Sequence, residues 1–353
     1  MLKILALQVA RLIGLFALSR ALTKGQLRIL CYHGIWLGSQ PHYGDCLFMG
    51  AGTFEQRMEL LARRGYRVIP LSRGCEALAA GRVDAHDVVI TIDDGWVGTY
   101  LHMLPVLKRH DFPATLYVTT ENVVAQEPVL YVLATFLAAR ATCKPDPAQL
   151  FPDQPPHTLN TEQLAQKIAD RILSRPTAAS RRAETQRIAS LLGIDFADLE
   201  ARRTFMLMKP EEVRDAYEQG LDIQLHTHSH RMHGFDHEQL RGELDLNRDS
   251  LAQMLGTPPE RLRHFCYPSG LFQPELFPVL QGRGIESATT TEFGLNPSGT
   301  SPYALRRILD CESVSDIELE ARLCGFWGLV SALRTGLRRF GQAPGHASGS
   351  TRD

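Results

Sequence analysis

Two short stretches of the sequence carry residues able to do chemistry. Asp93 and Asp94 stand side by side before Gly95, and His226, His228 and His230 alternate along a second stretch. Divalent transition metals accept carboxylate oxygen and imidazole nitrogen, and a catalytic site typically has three protein ligands and one position open to water. One aspartate and two histidines make such a set. Which two histidines take part is open from spacing alone, because i and i+4 share a face of a helical turn whereas i and i+2 share a face of a strand. The plain alternatives are an Asp-Gly turn and a His-rich exposed loop, continued by His233 and His237. Together the two stretches favour a metal site. A third stretch, Tyr267-Pro268-Ser269-Gly270, reads as a tight turn whose backbone N–H groups could face that site and meet a developing oxyanion. Taken alone, it is an ordinary turn.

All three stretches follow β-branched or apolar runs that read as strands. Val88 to Ile92 is an unbroken apolar run, as expected of a strand buried on both faces. Leu221 to Leu225 precedes the histidines, and Arg263 to Tyr267 leads into the Pro-Ser-Gly turn. Further strands are expected at Leu27–Tyr32, Tyr66–Pro70, Ala114–Thr119, Ile285–Thr290 and Ala304–Leu309, with helical patterns between most of them. Strand and helix in alternation predict a parallel sheet, closed as a barrel or open and doubly wound, with ligands at the C-terminal strand ends. The rhythm breaks between about 125 and 209, where helical patterns and a Pro-rich piece suggest a helical insertion.

The 353 residues comprise 44% hydrophobic and 22% charged types with a formal net charge of -1. This balance describes a globular chain and gives no reason to expect nucleic-acid binding. Seven cysteines without a C-x-x-C pair argue against a disulfide framework or a zinc ribbon, and favour a reducing compartment. Residues 1–24 form an amphipathic segment, with Leu5, Val9, Leu12, Phe16 and Leu22 near helical spacing, and Phe326 to Phe340 is a second, Arg-containing one. Both could lie on an anionic membrane surface or pack on the domain. The expected domain limits are therefore 1–24, 25–325 and 326–353, the last ending in a Gly/Ser-rich tail. The expected location is the cytoplasm, with or without peripheral membrane contact through both termini.

Taken in order, Thr91-Ile92-Asp93-Asp94-Gly95, His226-Thr227-His228-Ser229-His230 and Tyr267-Pro268-Ser269-Gly270 resemble the first three motifs of the NodB-homology polysaccharide deacetylases, and Leu30-Cys31-Tyr32-His33-Gly34 is similar to their opening segment. The resemblance covers about 27 to 323 apart from the insertion. It implies an α/β fold of the distorted (β/α) barrel type and removal of N-acetyl groups from a sugar polymer or lipid-linked saccharide. It implies Asp93 as general base and Asp94, His226 and His230 as ligands of a divalent metal, zinc most commonly, with cobalt or nickel in some members. It further implies Ser269 as the backbone N–H donor to the oxyanion, and Tyr267, Pro268 and Trp96 as substrate contacts. Two departures stand out. Many members carry an arginine at the position of Cys266 and an aromatic residue at that of Ser269; Arg307, in preference to Arg306, is the expected source of the missing guanidinium. The family's Leu-x-His general acid has no counterpart, since no histidine lies between His264 and His346; the candidates in its place are His33 and Asp93 itself, shuttling the proton. A member that binds glycan without turnover, and a deformylase or other C–N hydrolase, are the alternatives.

Overall fold

The computed structural model describes residues 2–143, 147–152, 159–232 and 234–330. The strands β1 (Arg28–Tyr32), β2 (Arg67–Val68), β3 (Asp87–Ile92), β4 (Thr115–Val118), β5 (Asp222–Leu225), β6 (His264–Cys266), β7 (Ser287–Phe293) and β8 (Leu305–Leu309) form one parallel sheet. All but β2 close into a seven-stranded barrel, because β1 pairs with β3 on one side and β8 on the other. Leu30 marks the closure, opposite both Ile90 and Ile308. β2 is a short addition outside β3. Every strand expected from sequence is present, and closure decides for the barrel over the open sheet. The β-branched run of β3 is buried at every position, as a strand covered on both faces requires.

The insertion leaves from the C-terminal end of β4, the end at which such barrels build their sites. Its helices run Glu121–Ala125, Leu130–Arg140, Pro147–Leu150, Thr161–Leu173, Ala178–Leu191 and Phe196–Ala201, with no strand among the described residues. Asn160 and Thr177 start two of them by accepting the backbone N–H three residues on, each satisfying a donor the helix cannot. The insertion's exit is tied to the Asp-Asp loop by two backbone bonds, Val97 N–H to Met206 and Met208 N–H to Gly95.

Two expectations are corrected. The N-terminal segment is two helices, Leu2–Leu12 and Leu15–Leu22, bent by 74° at Gly14. Their inner side packs through Leu7, Ala10 and Phe16 on the helix Asp316–Leu323 and on Phe326, and Lys3 and Arg11 pair with Glu318 and Glu320. Residues 326–330 are helical; the rest of the second amphipathic stretch and the tail lie outside the described residues. Second, Cys46 and Cys311 form a disulfide across 265 residues of sequence. Barrel closure brings them together, so spacing gave no hint of it. A stable disulfide belongs to oxidising compartments, and the cysteines therefore no longer argue for a reducing one.

Candidate active site

Asp93 and Asp94 follow β3, His226 and His230 follow β5, the Tyr-Pro-Ser-Gly turn follows β6, and His33 follows β1. Parallel strands deliver all of these to one mouth of the barrel. Gly95 turns the chain at φ +95°, with Val118 3.3 Å from where a Cβ would stand, so a side chain there would be both strained and crowded.

Asp93 receives two parallel hydrogen bonds from Arg307, Nη1 to Oδ1 and Nη2 to Oδ2, both 2.7 Å. Arg307 is itself fixed: its Nε donates to the Thr290 carbonyl at 2.8 Å and its Nη1 to Thr91 Oγ1 at 3.2 Å. The pairing of β8 with β7 shifts between Leu305 and Arg307. Such irregularities re-aim side chains; Arg307 points into the barrel while Arg306 stays outside against Glu292. Burial by itself would raise the Asp93 pKa, but the guanidinium of Arg307 outweighs it and holds the carboxyl at about 2. The thiols of Cys31 and Cys266 lie 3.6 and 3.5 Å from Asp93 Oδ2, and His33 Nε2 lies 3.7 Å from the same oxygen. Nδ1 of His33 has no partner among the described residues.

Asp94 faces the other way. Its Oδ2 accepts from Trp96 Nε1 at 2.7 Å, and its Oδ1 lies 3.3 Å from His226 Nε2 and 3.5 Å from His230 Nε2. One oxygen and two imidazole nitrogens thus converge within 4.8 Å of one another. His226 Nδ1 is 2.8 Å from the Cys266 carbonyl; donating there, the ring aims Nε2 at Asp94, the orientation seen in metal-binding histidines. Burial opposes charge on Asp94, yet the His226 hydrogen bond and the nearby His230 hold its carboxyl well below the usual range. Burial also pulls His230 down, toward the neutral imidazole a metal needs. The donor set, spacing and tautomer fit a divalent cation of the zinc, cobalt or nickel kind.

The spacing question is resolved by His228, whose ring turns to Thr120 Oγ1 at 2.9 Å and whose carbonyl accepts the N–H groups of Thr120 and Glu121. His226 and His230 are therefore the converging pair. Glu243 fixes the loop between them by accepting from both the backbone and the hydroxyl of Ser229 at 2.7 Å. Asn247 accepts from His226 N–H at 2.9 Å and donates to the Val118 carbonyl at 3.0 Å, locking β5 to β4. Asp94, Thr227, His230 and Ser269 all adopt positive φ, a conformation that costs about 1–3 kcal/mol per residue and clusters at functional sites. The Ser269 N–H makes no backbone hydrogen bond among the described residues.

Three residues expected as substrate contacts have little exposed surface. Trp96, Tyr267 and Pro268 are buried. Trp96 is an Asp94 holder, and the Tyr267 hydroxyl is spent on the Tyr303 carbonyl; strand-end apolar residues face the core because the strands before them are covered on both sides. The sequence reading missed Cys31, Glu243 and Asn247. Only Asn247, a buried polar residue in mid-helix, carried a signal. A cavity of about 460 Å³ in the insertion, bordered by Leu130, Phe196 and Phe205, is lined by none of these site residues.

A closed parallel barrel with carboxylates and imidazoles gathered at its C-terminal mouth has the layout of a (β/α)-barrel enzyme. The polysaccharide deacetylase family model matches residues 80–288, more than half of the chain, and the chain belongs to that family, hydrolases of carbon–nitrogen bonds that are generally metal-dependent. Among solved structures it is similar to the Streptococcus pyogenes deacetylase PplD in complex with acetate (16% identity, TM-score 0.56, covering 85% of this chain and 99% of that one). It is also similar to IcaB from Ammonifex degensii (18%, 0.51, 85% and 97%) and to BC0361, a polysaccharide deacetylase from Bacillus cereus (15%, 0.53, 84% and 69%). At these identities the likeness is one of fold. No curated protein matches the sequence.

Proposed function

We propose that the protein removes N-acetyl groups from an N-acetylated glycan, with Asp94, His226 and His230 holding a divalent cation, zinc first among the candidates. The observation that carries this reading is the division of labour between neighbouring carboxylates: Asp94 meets two imidazoles, whereas Asp93 meets Arg307 and no other strong donor. A cation at the triad would polarise the acetamide carbonyl and acidify the attacking water. Asp93, held ionised and aimed by Arg307, takes the proton of that water as its oxygen attacks the carbonyl carbon. The Ser269 N–H is positioned on its strained turn to donate to the developing oxyanion. His33, beside Asp93 at the mouth, gives a proton to the nitrogen as the C–N bond breaks, releasing acetate and a free amine.

Peripheral contact with a membrane belongs to the same proposal, supported by the exposed apolar side of the first two helices. The test is product analysis on a panel of N-acetylated and N-formylated glycans, with and without chelator. Acetate release abolished by chelator and restored by zinc or cobalt is the expected result. Formate alone would replace the reading with a deformylase, and glycan binding without either product would replace it with a binding protein.

A further inference from the structure

The first two helices sit at the end of the barrel opposite the candidate active site. Arg28, the first residue of β1, is buried and donates to the Leu323 carbonyl at 2.7 Å and to Thr23 Oγ1 at 2.8 Å. Arg20 reaches the Tyr66 hydroxyl and His86, the residues just before β2 and β3. Arg28 is itself a strand start and the partners of Arg20 stand just before two others, whereas Asp93, His226 and Ser269 lie beyond strand ends. A strand the length of β3 separates the two ends by on the order of 20 Å.

The outer side of these helices is apolar and is not covered by any described residue. Leu2 is 83% exposed, Leu12 80%, Ile13 68% and Leu22 61%, with Leu5 and Leu18 beside them at half or more. This is a contiguous run of large side chains of a kind that singly exposed residues do not make. The charge carried by the segment itself has one sign, although Lys3 and Arg11 are paired with Glu318 and Glu320 of the domain. The first 44 residues contain no Asp or Glu but carry Lys3, Arg11, Arg20, Lys24 and Arg28. Arg20 faces a hydroxyl and an imidazole rather than a carboxylate. The chain leaves the described structure next to the same helices, where Phe326 and Trp327 join their core, and continues with Arg334, Arg338 and Arg339. Apolar side chains flanked by Arg20 and Lys24, neither of which meets a carboxylate among the described residues, match the interface of an anionic bilayer. The bend of 74° and the inner side packed on the domain suit helices lying on the surface rather than crossing it.

We propose that the closed end of the barrel docks on an anionic membrane surface, so that the catalytic mouth opens away from the bilayer. Resting on the deacetylase reading, the orientation selects within its substrates: a glycan chain extending away from the membrane reaches the mouth, and a sugar held at the lipid headgroups does not.

The test uses the full chain with phosphatidylglycerol and phosphatidylcholine vesicles, followed by sedimentation and by amide hydrogen exchange. Binding to the anionic vesicles alone is expected, weakened by salt and weakened roughly tenfold or more by Leu5→Glu/Leu12→Glu. Both side chains are exposed, so the variant should fold, and unchanged circular dichroism and melting check that it does. Exchange should slow over 2–24 on vesicle binding and stay unchanged over 226–232 and 267–271. Protection at the mouth instead would overturn the orientation. No vesicle binding, or a dimer that the double variant converts to monomer, would overturn docking and assign the patch to a second copy of the chain. Acetate release from soluble glycan is measured in parallel, so that a failure of docking is distinguishable from a failure of the deacetylase reading.

Discussion

The two ends of the barrel are built on opposite principles. At the mouth the two carboxylates and the histidine loop are held by directional bonds: Arg307 grips Asp93 with both nitrogens, Trp96 takes one oxygen of Asp94, and Glu243 and Asn247 hold the histidine loop. At the closed end the outer side of the first two helices exposes a set of large apolar side chains. One end specifies geometry, as a reaction requires; the other presents area, as a surface contact requires. Function that depends on single atoms should therefore fail at the mouth after small changes, and the closed end should tolerate them.

Apart from the two aspartates, the largest effect is expected at His33. His33→Gln should lower kcat on an N-acetylated glycan by about a hundredfold or more, while sparing hydrolysis of 4-nitrophenyl acetate, whose leaving group needs no proton. Equal loss on both would make His33 structural. Arg307→Lys comes next. A lysine keeps the charge but not the two-pronged grip, and a displaced base should cost about tenfold to a hundredfold in kcat/KM. It should also move the acid limb of kcat/KM upward, because Asp93 held at about 2 is ionised throughout the neutral range and loses part of what holds it there. The same depressed pKa stabilises the fold above pH 3.8 and loses that contribution as pH falls toward about 2; thermal melts of the variant should show a shallower fall across that window. The smallest effect is expected at the closed end, where Leu12→Glu should leave acetate release from a soluble glycan unchanged and stability within about 0.5 kcal/mol.

The same contrast governs what the sequence disclosed. The mouth was legible because its chemistry demands particular residue types at strand ends, so Asp93, Asp94 and the three alternate histidines stood out in the sequence, and the family resemblance singled out His226 and His230. Arg307 was reachable only through a family resemblance, since nothing local distinguishes it from Arg306; the shift in strand pairing that turns one inward and the other outward is a property of the closed sheet. The burial of Trp96 and Tyr267 was not legible, because an aromatic beside a catalytic motif looks the same whether it faces ligand or core. The pairing of Cys46 with Cys311 had no local signal at all. At the closed end periodicity disclosed an amphipathic segment, but neither the break at Gly14 nor which end of the barrel it covers.

The division of labour between Asp93 and Asp94 is tested most directly by bound metal and acetate release in two purified variants. Asp93→Asn should retain one equivalent of metal and lose nearly all acetate release, whereas Asp94→Ala should lose both. Metal and activity surviving in Asp94→Ala, or metal lost from Asp93→Asn, would contradict it.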